Sequence, residues 1–63
     1  MDNETAKAKI NDILNSDEKI KAWGEINNVN FEMAKTVLAN LGNNPEVGKV
    51  AKKFNWDAQD IDL

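Results

Sequence analysis

Apolar residues return along this chain every three or four positions, the period of an amphipathic helix, and nowhere alternate long enough for a strand. Ala6, Ile10, Ile13 and Leu14 stand at i, i+4, i+7 and i+8 and predict a first helix over about residues 3–15. Asp2 or Asn3 is placed to cap it, since a short polar side chain accepts a bond from an otherwise orphan amide. Ser16 is the next cap, with Asp17 and Glu18 in the first turn where negative charge complements the helix dipole. A second helix follows over about 17–27, with Ile20, Trp23 and Ile26 on its inner face. Gly24 lies inside it, at a cost of ~1 kcal/mol relative to alanine, and leaves room for another helix to approach beside Trp23.

Asn27, Asn28 and Asn30 break the pattern, and Asn30 caps a third helix over about 31–41 with Glu32 in its first turn. Met33 or Ala34, Val37, Leu38 and Leu41 form the cleanest stripe in the chain, and Gly42 is expected to close it in a left-handed conformation. Asn44-Pro45-Glu46 then opens a fourth helix over about 45–54, with Val47, Val50, Ala51 and Phe54 facing inward. Asn55 is expected to be left-handed, Trp56 to tuck back, and Asp57 to cap a short final turn carrying Ile61 and Leu63. The fold class is therefore all-α: a compact small bundle of four helices plus a short C-terminal helical turn, in a single helical domain over residues 1–63. The connecting loops are two to four residues long and favour antiparallel or steeply angled neighbours.

Size and composition narrow the chemistry. A chain of 63 residues buries only about 60% of its unfolded surface and has little stability to spare. With no cysteine and no histidine, disulfides and nearly all zinc, copper and haem sites are excluded, so neither metal nor cofactor is expected. Absence of cysteine fits a reducing compartment. No apolar run approaches the roughly 18 residues of a membrane span, and Met1 to Lys9 has no apolar signal-peptide core. A cytoplasmic protein is the expectation.

The catalytic inventory is nearly empty. The hydroxyls are Thr5, Ser16 and Thr36, no histidine is present to activate them, and Ser16 is explained as a cap. Asp17 and Glu18 are adjacent but fall in an exposed first turn, where no desolvation tunes a carboxylate. The chain is not expected to be an enzyme. Asp57, Asp60 and Asp62 cluster near the C-terminus, but the glycine turn and bidentate glutamate of a calcium loop are missing, so they read as a solvated acidic tail.

Residues 47–61, V-G-K-V-A-K-K-F-N-W-D-A-Q-D-I, resemble a helix-turn-helix corner. Ala51 takes the close helix contact, Asn55 the place where the family usually has glycine, and Ile61 the anchor of the second helix. The resemblance implies a nucleic-acid-associated protein using Lys49, Lys52 and Lys53, which form a basic patch on the preceding helix. Against it, eleven acidic residues and eight lysines leave a net charge of −3, and the second helix offers Asp60 and Asp62 where phosphates would sit. Ala34, Val37 and Leu38, followed by Val50, Ala51 and Phe54, are similar in spacing to helices two and three of ubiquitin-associated domains. The Met-Gly-Phe/Tyr loop that binds ubiquitin in that family is absent, and Ile26-Asn27-Asn28 stands near its place.

Elimination leaves a small acidic protein-interaction module: an inhibitor, adaptor or immunity-type factor. Nucleic acid and membrane partners are disfavoured by the charge. The expected partner is a protein, basic in character because carboxylates surround the binding face, or else a second copy of the chain. The candidate docking residues are Ile10, Ile13 and Leu14, which are expected not to fit together inside a core already supplied by helices two to four, with Trp23 balanced between core and interface. A small structural component, for example of a phage particle, is the remaining alternative.

Overall fold

The computed structural model describes residues 2–56, and they are all-helical, with no strand among them. Four helices follow in order: α1 (Asn3–Leu14), α2 (Asp17–Ile26), α3 (Phe31–Gly42) and α4 (Val47–Ala51). Three of them start where the polar pattern places their caps. Thr5 donates its amide to Asp2 Oδ1 at 2.7 Å, Lys19 to Ser16 Oγ at 3.4 Å and Met33 to Asn30 Oδ1 at 2.8 Å. Each bond satisfies an amide that the helix itself leaves without a partner.

The ends are less regular. α2 closes with Val29 N–H donating to Gly24 O at 2.8 Å and Asn28 N–H to Glu25 O at 3.4 Å. Asn28 is left-handed at φ 60°, which is the paired-bond closure that needs a left-handed residue just past the helix. The two residues expected in that conformation do not adopt it. None of the three glycines has positive φ, and Asn28 is the one other described residue that does, so Gly42 and Asn55 are corrected on this point. Gly42 belongs to α3 itself, which ends instead at Asn43 in a right-handed conformation. Asn43 Nδ2 donates to Ala39 O at 3.2 Å and relieves one of the helix's free carbonyls.

α4 is also shorter than its pattern predicts, five residues in place of about ten. Asn44 Oδ1 accepts from Glu46 N–H at 2.8 Å and makes a local turn rather than a helix cap. The cap comes from elsewhere in the chain: Asn3 Oδ1 accepts from Gly48 N–H at 2.9 Å, and Asn3 Nδ2 donates to Pro45 O at 3.1 Å. After Ala51 the chain tightens through Lys53 N–H to Val50 O and Phe54 N–H to Ala51 O, both 3.1 Å. That tightening turns Phe54 and Trp56 back toward Trp23, with ring centroids 5.4 and 5.7 Å away. The final turn expected beyond Asp57 lies outside the described residues, as does the second half of the helix-turn-helix-like corner.

α1 packs on all three other helices and α3 likewise, whereas α2 and α4 do not meet as helices. The core is built from Ala6, Ile10 and Ile13 of α1, Ile20, Ala22 and Trp23 of α2, Ala34, Leu38 and Leu41 of α3, Val47 and Ala51 of α4, and Trp56. At Gly24 the α2–α3 loop and α3 approach α2 closely. A Cβ built there would stand 2.7 Å from Val29 O and 3.2 Å from the Ala34 Cβ, so only glycine lets the α2–α3 loop and α3 pass so close.

Candidate functional site

The face expected to dock a partner is not a surface. Ile10, Ile13 and Trp23 are 0% exposed, and Leu14 is half-buried against the same core. The expectation was that helices two to four would already supply the core and leave no room for all of this face. Instead α1 packs on all three other helices, and Ile10 and Ile13 are part of the one core cluster. Trp23 is core rather than interface, held between Phe54 and Trp56. Its indole Nε1–H has no hydrogen-bond partner among the described residues, an arrangement that good packing around the rest of the ring must offset.

Lys49, Lys52 and Lys53 are exposed on α4 and the turn after it. The helix that would have to enter a groove of DNA falls outside the described residues. No cluster of three or more metal-ligating side chains occurs among the described residues, and no helix among them is long and apolar enough to cross a membrane. Asp2 is held below its ordinary carboxylate value, chiefly by the amide of Thr5. It is an exposed helix cap.

A different feature gathers apolar and charged groups at one place. A groove of about 500 Å³ runs between the outer face of α2 and the start of α3. Val29 and Phe31, both half-buried, line it together with Asn30, and Asp17, Glu18, Lys21 and Glu25 supply its charged wall. Local sequence makes it. Ser16 fixes the start of α2, so Asp17, Lys21 and Glu25 fall at i, i+4 and i+8 in one exposed row. The closure of α2 at Asn28 and the cap at Asn30 then carry Val29 and Phe31 across the base of that row.

Three carboxylates and one ammonium line the groove. Lys19 pairs instead with α1, its Nζ 2.7 Å from Asp12 Oδ2. No charged group of the groove makes an ion pair with another described residue. Lys35 Nζ stands 5.9 Å from the Phe31 ring centroid, over the aromatic face.

A second, smaller recess of about 260 Å³ lies between α3 and α4, lined by Val37, Asn40, Leu41, Asn44, Val50 and Phe54, with no charged side chain among them. Neither recess was foreseen from the docking residues named in the sequence. A signal for the first was present: Val29 and Phe31 are apolar residues flanking the Asn30 cap, and the exposed row on α2 is rich in carboxylates. The chain matches no protein-family model, no curated protein and no solved structure.

Proposed function

We propose that this chain is a small protein-interaction module that captures a basic, amphipathic segment of a partner protein in the Val29–Phe31 groove. The observation that carries the reading is the combination of an apolar floor with a wall of three carboxylates and one ammonium. An apolar side chain of the partner seats on Val29 and Phe31 and is removed from water at roughly 25 cal/mol per Å². Lysine or arginine on either side of it meets Asp17, Glu18 and Glu25. Those exposed pairs contribute mainly to encounter rate and to the choice of partner, and salt weakens them. Binding at one such groove suits an inhibitor or adaptor, in which occupancy of a partner's segment is the whole effect.

The test is an NMR titration of the full chain with a synthetic helical peptide of leucine and lysine, against the same peptide with glutamate for lysine. The expected result is shifts concentrated at Val29, Asn30, Phe31 and the exposed row of α2. They should be absent with the acidic peptide and lost in the E18K/E25K variant. Equal response to both peptides, or shifts spread over all four helices, overturns the proposal.

A further inference from the structure

α2 and α4 do not meet as helices. Trp23 of α2 instead meets the segment that follows α4, residues 52–56. Lys52, Lys53 and Asn55 are exposed there, Phe54 is half-buried and Trp56 is buried. The segment is shaped by its own bonds to the end of α4: Lys53 N–H donates to Val50 O, and Phe54 N–H and the Trp56 indole Nε1–H both donate to Ala51 O. Its hold on α2 is of two kinds. The rings of Phe54 and Trp56 lie tilted against Trp23. Among the described residues, every hydrogen bond from the segment to anything other than α4 joins Asn55 to Asn27 or Ile26.

That arrangement can release in one piece. A single side chain, Asn27, holds both the amide and the carbonyl of Asn55, so one change of its rotamer frees both. These bonds lie at exposed positions, where water replaces the lost partners at small net cost. The bonds to Val50 and Ala51 do not involve α2, and they keep the segment's shape as it turns away. α1, α2 and α3 pack on one another without it. Release also relieves a defect. The Trp23 indole Nε1–H is buried without a partner among the described residues, and contact with water gives it an acceptor, which offsets part of the cost of wetting the rings. Exposed hydrogen bonds and few buried contacts are the marks of a unit that opens below the global unfolding free energy. We infer that residues 52–56 are a strap over Trp23, latched by Asn27, which opens as a unit while α1 to α3 stay folded. The open state presents the Trp23 ring that the closed state hides.

Native-state hydrogen exchange of the full chain, followed by NMR in water and in urea below the unfolding transition, tests this. Leu38, fully buried in α3, reports global unfolding. In the wild type the Trp23 indole Nε1–H should exchange at least about tenfold faster than the Leu38 amide, after correction for intrinsic rates, and should respond more weakly to urea. N27A removes both bonds to the Asn55 backbone and should speed the indole by about tenfold. The latch acts on the closed state alone, so Leu38 should speed by the same factor and the ratio of the two rates should hold. A wild-type indole that exchanges at the Leu38 rate, with the same urea dependence, overturns the inference, and that comparison needs no variant. An N27A chain in which the indole is not accelerated overturns it as well.

Discussion

The Asn27 carboxamide closes on the backbone of Asn55 from both of its ends: Nδ2 donates to the Asn55 carbonyl at 2.9 Å, and Oδ1 accepts from the Asn55 amide at 2.8 Å. Asn55 returns the contact, its own Nδ2 donating to Ile26 O at 3.2 Å. A side chain at the end of α2 thus serves the segment after α4 as a neighbouring strand would, and it holds Phe54 and Trp56 against Trp23. Asn27→Asp keeps the acceptor but removes the donor and sets a carboxylate against the carbonyls of Trp23 and Asn55, since Nδ2 also donates to Trp23 O. The expected loss is about 1–3 kcal/mol, read as a lower urea midpoint with an unchanged slope.

Gly24 and Gly42 should respond to alanine in opposite directions. At Gly24 the added methyl meets a backbone oxygen at 2.7 Å, and backbone cannot step aside as a flexible side chain does. The strain of about 1–3 kcal/mol outweighs the helix-propensity gain of ~1 kcal/mol. At Gly42 the nearest atom is Ile10 Cγ2 at 3.6 Å, ordinary contact, in a helical residue. Gly42→Ala should stabilise by up to about 1 kcal/mol. Thermal melts of the two variants beside the wild type check both signs at once.

Trp56 donates its indole Nε1–H to Ala51 O at 2.6 Å in a buried position. The same carbonyl accepts from Phe54 N–H, so Trp56→Phe leaves no orphan acceptor and should cost about 1–2 kcal/mol for the lost bond and ring. Trp56→Ala should cost about 3–5 kcal/mol. That is a large share of what a domain of this size has, at roughly 0.05–0.15 kcal/mol per residue. Urea unfolding followed by far-ultraviolet dichroism separates the two.

Asp2 makes the stability depend on acid. Its carboxyl is lowered from 3.8 chiefly by the hydrogen bond from the Thr5 amide. Its contribution is therefore fully present above 3.8 and is lost as pH falls through the lower value it has in the folded chain. Asp2→Asn retains an acceptor without the charge. The wild type should exceed this variant in urea midpoint at neutral pH, and the gap should close in acid below 3.8. A gap constant down to the lowest pH contradicts the assignment.

What could be read from the sequence divides by distance along the chain. The caps at Asp2, Ser16 and Asn30 and the inward stripes of α1 to α3 depend on neighbours within a turn, and they are legible there. The close approach at Gly24 was legible too, because a glycine inside a helix is costly without a reason. The short α4 was not, since its end is set by Trp56 folding onto Ala51 O and by Asn27 holding Asn55, a partner 28 positions away. The same blindness misplaced the docking face. Whether Ile10 and Ile13 are covered depends on how the other three helices pack on α1, and periodicity carries no record of that. The charged groove needed both the α2 row and the loop beneath it, which become neighbours only once Asn28 turns the chain.

The clasp of Asn3 on Pro45 and Gly48 joins residues 42 and 45 positions apart, and this bears on the order of events during translation. A nascent chain that has emerged only as far as α3 holds the α1 face without Val47 or Ala51 to cover it. Asn3 then has only water to bond. Such contacts, distant in sequence, are closed late and at an entropic cost. A premature stop before Val47 should therefore yield a species with exposed isoleucines rather than a smaller stable domain, and a nick in the loop at Asn44 should loosen the first helix together with the fourth.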